Sequence, residues 1–572
     1  MASVRHNTVA PSAGTGFAAA VLDRRGCVRV RPPRHAEAAD SAIEDWLRAI
    51  EPDATERVRH LFLEFWAHYP QTAALHSSGV FVVFDLELRK AYAAGGDRPR
   101  EMARRIAGRL RDAPHAACVA PADLIDAGLL RFELGSVPRL GWSERCGLAL
   151  CAAGAMLGAI ASAVLVVLRR EPRSLPVNSS MLYAVHAENA TRTRALWRLV
   201  KSQIRGGGAR CGVLVLGRPL GSRHSLRQAA AVAADCGVPP EQLQLVRPAS
   251  LTALVSALPS AFAALRAAVR VTTAFACFSG WQPERKNLLA IYYRIVWGLV
   301  HRAWLHRQPG GPERAIFGHT GIADTTLLEQ ALQSRGARTA HLLHGAVNGP
   351  YLDGVSDVAH CQCGADAASL SRWSAYRLAR HNPMAQPACA APGAGPRWLL
   401  LTNLLHPLAP DYQRFGARSE LLLLDRVAAA CRLLALPGAA VTWKPHPTFS
   451  LLPQRVRAML AAALSEHGFR QWEQERPFQE CRSAGVILST VSTTYLDVLR
   501  LGRVAMLYSA LPWDRAQFAE SIPPRLLAAD ATALAALYRR LSRPDLHAQD
   551  FDAAWNALGP GEPDPMPEQV LP

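Results

Sequence analysis

The sequence predicts an α/β protein: two doubly wound, Rossmann-like domains facing a cleft, with an extra N-terminal region that is mostly helical. Three observations carry this. The chain has 572 residues, half of them hydrophobic, which is room for two or three cores. Short apolar runs alternate with helical patterns twice over, the signature of βα units and parallel sheets covered on both faces. A Pro/Ala/Gly stretch, PACAAPGAGP within residues 385–396, separates the two series.

In chain order, residues 1–35 are rich in Arg, Pro and Ala and read as poorly ordered. Residues 36–146 carry helical patterns such as AIEDWLRAI and REMARRIAGRLRDA, with one strand expected at GVFVVFDLEL; they suggest no function. Residues 147–168, GLALCAAGAMLGAIASAVLVVL, contain no charge and precede Arg169 and Arg170. That length suffices for a bilayer core, and Gly154 and Gly158 form a GxxxG pair suited to close helix packing. The segment is a candidate transmembrane helix; its seven alanines equally suit a buried helix at a domain junction.

The first βα series, residues 178–384, runs MLYAV, GVLVLG, AIFG and TAHLL with helices between, and residues 263–306 are helical, basic and aromatic. The second, residues 397–545, runs RWLLLT, AAVTWK, GVILS and VAMLY. Residues 559–572 form a Pro-rich acidic tail with little apolar surface to bury.

The net charge of +18 favours anionic partners. Arginines are spread along the chain and no zinc-finger or RNP-type pattern occurs, so nucleic acid is not expected as a partner. Twelve cysteines with irregular spacing do not form a disulfide framework. The run His360-Cys361-Gln362-Cys363 lacks the paired CxxC spacing of structural zinc and reads as a buried strand; no metal site and no cofactor are expected.

Ligands of open α/β sheets bind at the carboxyl ends of the strands, and three polar motifs fall there. TAHLL leads into His344-Gly345, a turn whose glycine allows close approach. AAVTWK ends on Lys444, one of four lysines against sixty arginines, followed by Pro445-His446-Pro447. The prolines fix φ and hold the imidazole on a stiff loop, where it can donate to phosphate beside the lysine. GVILS leads into Thr490, Ser492, Thr493 and Thr494, hydroxyls at a helix start where free N–H groups and the helix dipole favour anions. Ser489 closes the strand. An ordinary cap and a plain turn remain the structural alternatives for these motifs.

The order of these motifs resembles the two-domain nucleotide-sugar glycosyltransferases of the GT-B type that build bacterial capsules and other surface polysaccharides. Within that group, bacterial sialyltransferases, Kdo transferases and CDP-glycerol glycerophosphotransferases carry a His-Pro motif and a Ser/Thr pair in the C-terminal domain. The matching positions are His446-Pro447 and either Ser489-Thr490 or Ser492-Thr493. The resemblance covers about residues 178–540. It implies a nucleotide-activated donor carrying a cytidine nucleotide, CMP above all, whose phosphate is held by the imidazole and the hydroxyl-capped helix without a metal. The partner it implies is a polysaccharide or lipid-linked glycan acceptor; the basic charge and the apolar segment suit a membrane surface as a further partner, on the cytoplasmic face of the inner membrane.

The family's paired acidic motif has no clear match: Leu352-Asp353-Gly354 supplies a single carboxylate. An acceptor hydroxyl needs a general base. Glu188, after the first strand, is placed first, with Asp324 and Asp353 as rivals; His319 and His344 also face the expected cleft. A polyol-phosphate transferase of the CDP-glycerol type and a non-catalytic polysaccharide assembly protein are the competing readings.

Overall fold

The computed structural model describes residues 142–168, 181–186, 194–207, 211–217, 225–279, 285–318, 323–343, 354–373, 377–402, 417–445, 449, 454–473, 477–490, 494–508, 521–528 and 530–561, with short pieces between 8 and 119. In the N-terminal block, β1 (Thr8–Val9), β2 (Ala19–Leu22), β3 (Val28–Arg31) and β4 (Ala117–Val119) pair in that order as an antiparallel sheet. Three of these strands come from the stretch expected to be poorly ordered. GVFVVFDLEL, expected as a strand, is instead helix α1 (Phe81–Ala93). Its apolar run hides a helical period. Val80, Val83, Phe84 and Leu88 are buried while Val82 is exposed, and spacings of three and four put the buried set on one helix face.

The segment 147–168 lies within α2 (Trp142–Leu168). Then follow β5 (Met181–His186), α3 (Arg194–Gly207), β6 (Cys211–Leu216), α4 (Ser225–Asp235) and β7 (Leu243–Val246). The basic, aromatic stretch forms two long helices, α5 (Leu251–Ser279) and α6 (Arg285–His306). The series closes with β8 (Arg314–Phe317), α7 (Ala323–Ser334), β9 (Arg338–Leu342), β10 (Val358–Cys361), α8 (Gly364–Trp373) and β11 (Leu378–His381). The seven strands are parallel, in the order β11-β10-β9-β8-β5-β6-β7.

Strand residues alternate between the two faces of this sheet. Leu182, Ala184, Leu214, Leu216 and Phe317 join a core with Ala155 and Ala159 of α2, and with residues of α1, α5, α6 and α7. Tyr183, Val185, Val213, Val215 and Ile316 face the other way, onto α3 and α4. The apolar segment is thus one member of the helical layer on the N-terminal sheet.

The C-terminal domain comprises β12 (Trp398–Leu401), α9 (Ala417–Leu434), β13 (Val441–Lys444), α10 (Gln454–Glu466), β14 (Arg470–Gln471), β15 (Val486–Thr490), α11 (Thr494–Arg500), β16 (Ala505–Tyr508), β17 (Leu527–Ala528), α12 (Ala531–Leu541) and α13 (Pro544–Leu558). Its six parallel strands are ordered β14-β13-β12-β15-β16-β17. In both sheets the chain winds outward from the first strand, returns beside it with the fourth, and winds outward the other way. Two doubly wound sheets are present, as expected.

The segment between them is pinned to the C-terminal domain. Ala390 N–H donates to Gly502 O at 2.7 Å, Gly393 N–H to Ala484 O at 3.0 Å and Gly395 N–H to Ser483 O at 2.8 Å. The backbones approach so closely that a β-carbon at Gly393 would fall on the Ser483 carbonyl. The chain then crosses back: past α13, Gly559 O accepts from Gly364 N–H at 2.8 Å, and Pro560 and Gly561 bridge to Cys363 and Pro383. Arg500, ending α11, donates to Gln362 O, Gln362 Oε1 and Gly561 O at 2.9–3.1 Å, so α11 is tied to the N-terminal domain.

Candidate functional site

A doubly wound sheet has one place where helices leave neighbouring strands toward opposite faces, and ligands bind outside the strand ends there. In the C-terminal sheet this switch point lies between β12 and β15, which pair directly. Leu401 at the end of β12 is opposite Lys444 on one side and Ser489 on the other. In-register neighbours of a parallel sheet share a face, so Lys444 and Ser489 stand about 10 Å apart, two strand spacings, on one face. Ser489 is fully buried and Lys444 half-buried. The Lys444 ammonium lies close enough to Cys481 to oppose the rise that burial imposes on that thiol, which is pushed up to about 11. Its charge is therefore near the turn preceding β15, as well as at the end of its own strand.

Thr490 continues β15 beside Tyr508, and half-buried Thr494 opens α11. Gly502 closes the turn after that helix at φ +76°, the left-handed backbone that glycine permits. His446, Pro447, Ser492 and Thr493 lie outside the described residues.

The opposite face of the same strand ends holds a residue that sequence reasoning missed. Trp443 Nε1–H donates to Glu420 Oε1 at 2.7 Å and to Thr402 Oγ1 at 3.0 Å. Glu420 sits in the first turn of α9 with 4% exposure. Burial pushes its carboxyl up from 4.5 to about 7, against the lowering effect of the bonds from Thr402 and Trp443. This trio joins the ends of β12 and β13 directly beneath the edge that carries Lys444. A tryptophan immediately before the strand-ending lysine was the available signal; nothing local to ARSELLLL marks Glu420 as its partner.

In the N-terminal sheet the switch point lies between β5 and β8, and Gly318 N–H donates to Ala184 O at 2.9 Å beyond the last β8 pair. Asp324 follows β8, in the first turn of α7, at 1% exposure beside buried Thr325, Thr326 and Glu329. It lies inside the helix rather than at its cap, and Ser356 Oγ–H donates to Glu329 in the same buried polar layer. Glu188, His319, His344, Gly345 and Asp353 lie outside the described residues. In the sequence, Glu188 follows β5 and His319 follows β8, the two strands that flank the switch point.

The His360–Cys363 run is buried, at the end of β10 and just beyond it. His360 is buried and its imidazole held down to about 4 by desolvation and by His381 and Arg380. Burial raises both Cys361 and Cys363 thiols, and Gln362 Nε2–H donates to Leu343 O at 2.8 Å. Among the described residues no group of three His, Cys, Asp or Glu side chains is arranged to hold a metal.

The clefts lined by described residues include two of similar size. One of about 690 Å³ is lined by Ser256, Arg302, His306 and Gln333 among the helices of the N-terminal domain. The other, about 650 Å³, lies by Arg397, Thr442, Arg470 and Trp472, at the amino ends of β12 and β13. Neither is at a switch point. Among the described residues, two helical stretches are long and apolar enough to cross a membrane, Arg145–Leu168 with mean hydropathy 2.3 and Leu251–Ala276 with 1.5.

No protein-family model matches the sequence, and no curated protein matches it. Solved structures with distant likeness include MurG of Acinetobacter baumannii, at 12% identity and TM-score 0.35 over 68% of this chain and 97% of that one. A mutant O-GlcNAc transferase of Thermobaculum terrenum gives 14% and 0.33 over 91% and 89%. A UDP-N-acetylglucosamine 2-epimerase gives 11% and 0.36 over 68% and 94%. Likeness at this level carries no weight for function, and the fold rests on the strand order described above.

Proposed function

We propose that the protein is a glycosyltransferase that moves a sugar from a nucleotide-activated donor, CMP-linked above all, to a glycan acceptor in surface-polysaccharide or glycolipid assembly, on the cytoplasmic face of the inner membrane. The observation that carries this reading is the register at the C-terminal switch point, where Lys444 and Ser489 flank Leu401 on one face. A cation and a hydroxyl at that edge suit a phosphate, and His446-Pro447 and Thr490–Thr494 continue from the same two strands.

In this reading the acceptor oxygen attacks the anomeric carbon, and the bond from that carbon to the phosphate oxygen breaks. The electron pair leaves with the nucleotide, whose growing negative charge Lys444, His446 and the hydroxyls stabilise. Glu188 takes the acceptor proton, with Asp324 and Asp353 as the alternatives. A loop base after β5 or β8 would lie at the N-terminal switch point.

The test is a donor panel. Purified protein is incubated with CMP-, CDP- and UDP-linked donors and a glycan acceptor, and the released nucleotide is measured. Acceptor-dependent CMP release is expected, falling at least ~100-fold in His446→Ala, the usual order for a group stabilising transition-state charge. CDP-glycerol consumption in its place identifies a polyol-phosphate transferase. Release that His446→Ala leaves unchanged refutes the placement of the donor phosphate.

A further inference from the structure

α2 presents a stripe of exposed apolar side chains that the fold itself leaves uncovered. Leu150 is 70% exposed, Leu157 67%, Val164 41% and Leu168 73%. Spacings of seven, seven and four residues place all four within one narrow arc of an α-helix. Exposed Ala153 and Ala161 fill the gaps between them. From Leu150 to Leu168 the stripe runs about 27 Å. Scattered exposed leucines are ordinary on a folded surface, whereas a contiguous stripe of them marks a contact.

A neighbouring side of the helix, about 100° round from the stripe, is sealed against α6 along most of its length. Cys151 Sγ lies 3.6 Å from Arg285 O. A β-carbon at Gly154 or Gly158 would press on Leu289 or Tyr293 at 3.3 Å, so these two glycines are what let the helices close. Deeper in, Ser162 Oγ and Tyr293 Oη share a buried 2.8 Å hydrogen bond. α6 belongs to the layer covering the N-terminal sheet, so α2 lies alongside the α/β domain. Crossing a bilayer would require it to leave this packing.

We propose that α2 lies in the plane of an anionic membrane, its leucine stripe buried in the acyl boundary and the domain held above it. Three observations select lipid over a second protein surface. No charged residue occurs between Gly147 and Leu168, so the stripe lacks the charged flanks that border helix seams between proteins in water. Trp142, 82% exposed, and exposed Arg145 stand at the start of the helix, the pairing of aromatic and cation that suits a headgroup layer. The net charge of +18 complements anionic lipid. The neighbouring helix α5 adds exposed Val255 and Phe262 together with exposed Arg266 and Arg270. This inference concerns where the protein sits and stands independently of the donor site.

The test uses the full chain with phosphatidylglycerol/phosphatidylethanolamine vesicles, with phosphatidylcholine vesicles for comparison. The wild type is expected to sediment with the anionic vesicles and to be released from them by alkaline carbonate. Leu150→Ser with Leu157→Ser should lower partitioning about a hundredfold, roughly tenfold for each leucine removed from the apolar boundary. Because a poorly folded variant would also bind poorly, Ala161→Trp supplies the converse: an added aromatic on the stripe should raise binding several-fold. Four results overturn the proposal: no binding by the wild type; retention after carbonate, which means a span; wild-type binding by the double variant; or a double variant that loses only self-association, which makes the stripe a contact between copies.

Discussion

Replacing Glu420 by Gln tests the buried trio under the C-terminal strand edge. Gln keeps the shape and an oxygen to accept from Trp443 Nε1–H and Thr402, while removing the titration. The carboxyl is raised from 4.5 to about 7 by burial. A carboxyl raised on folding binds more protons in the folded than in the unfolded chain between those two values. Its stabilising contribution is therefore complete below 4.5 and is lost as pH rises through 7. Over that window, at 1.36 kcal/mol per pH unit, the wild type should lose about 3 kcal/mol relative to Glu420→Gln.

The readout is hydrogen exchange of the β12 and β13 amides as a function of urea and pH, because it reports the C-terminal domain alone in a chain with more than one cooperative unit. Below pH 4.5 the two proteins should run parallel; above 7 the variant should be the more stable. Parallel profiles across the whole range, or a wild type that gains on the variant as pH rises, would refute the assignment of a buried neutral carboxyl.

Two further outcomes follow from the packing around β15. Gly393→Ala drives a β-carbon into the Ser483 carbonyl; backbone must shift, at about 1–3 kcal/mol, visible as a lowered melting temperature, and an unchanged one would show the linker contact to be loose. Arg503 is fully buried, and its guanidinium donates to Ala484 O at 2.6 Å, Gly485 O at 2.7 Å and His547 Nε2 at 3.3 Å. Arg503→Met strands those acceptors and should cost about 3 kcal/mol or more; Arg503→Lys should recover only part, since an ammonium cannot reproduce the fork. A urea midpoint for Arg503→Met equal to that of the wild type would contradict this role.

Much of the architecture was legible in the chain because it is local. Apolar runs such as CGVLVL and WLLL, each ending in a polar loop, identify buried parallel strands whatever surrounds them. Two runs of the same kind, VTWK and VILST, put Lys444 and Ser489 at strand ends, where ligands of such sheets bind. Where one periodicity masks another, local reading failed: FVVFDLEL is as apolar as a strand, and only its packing through Val83, Phe84 and Leu88 shows it to be a helix.

Strand order was not legible, because it depends on how every crossover packs at once. That order sets Lys444 and Ser489 on either side of Leu401 although 44 residues separate them. The same global packing brings Glu420 under Trp443 and seals one side of α2 against α6 while leaving four large apolar side chains in the open. The sequence by itself determined the elements and the residues at their ends, since propensity and periodicity act within a few turns of chain. Only the tertiary structure decided which ends meet and which faces stay uncovered, since those follow from burying all the apolar faces together.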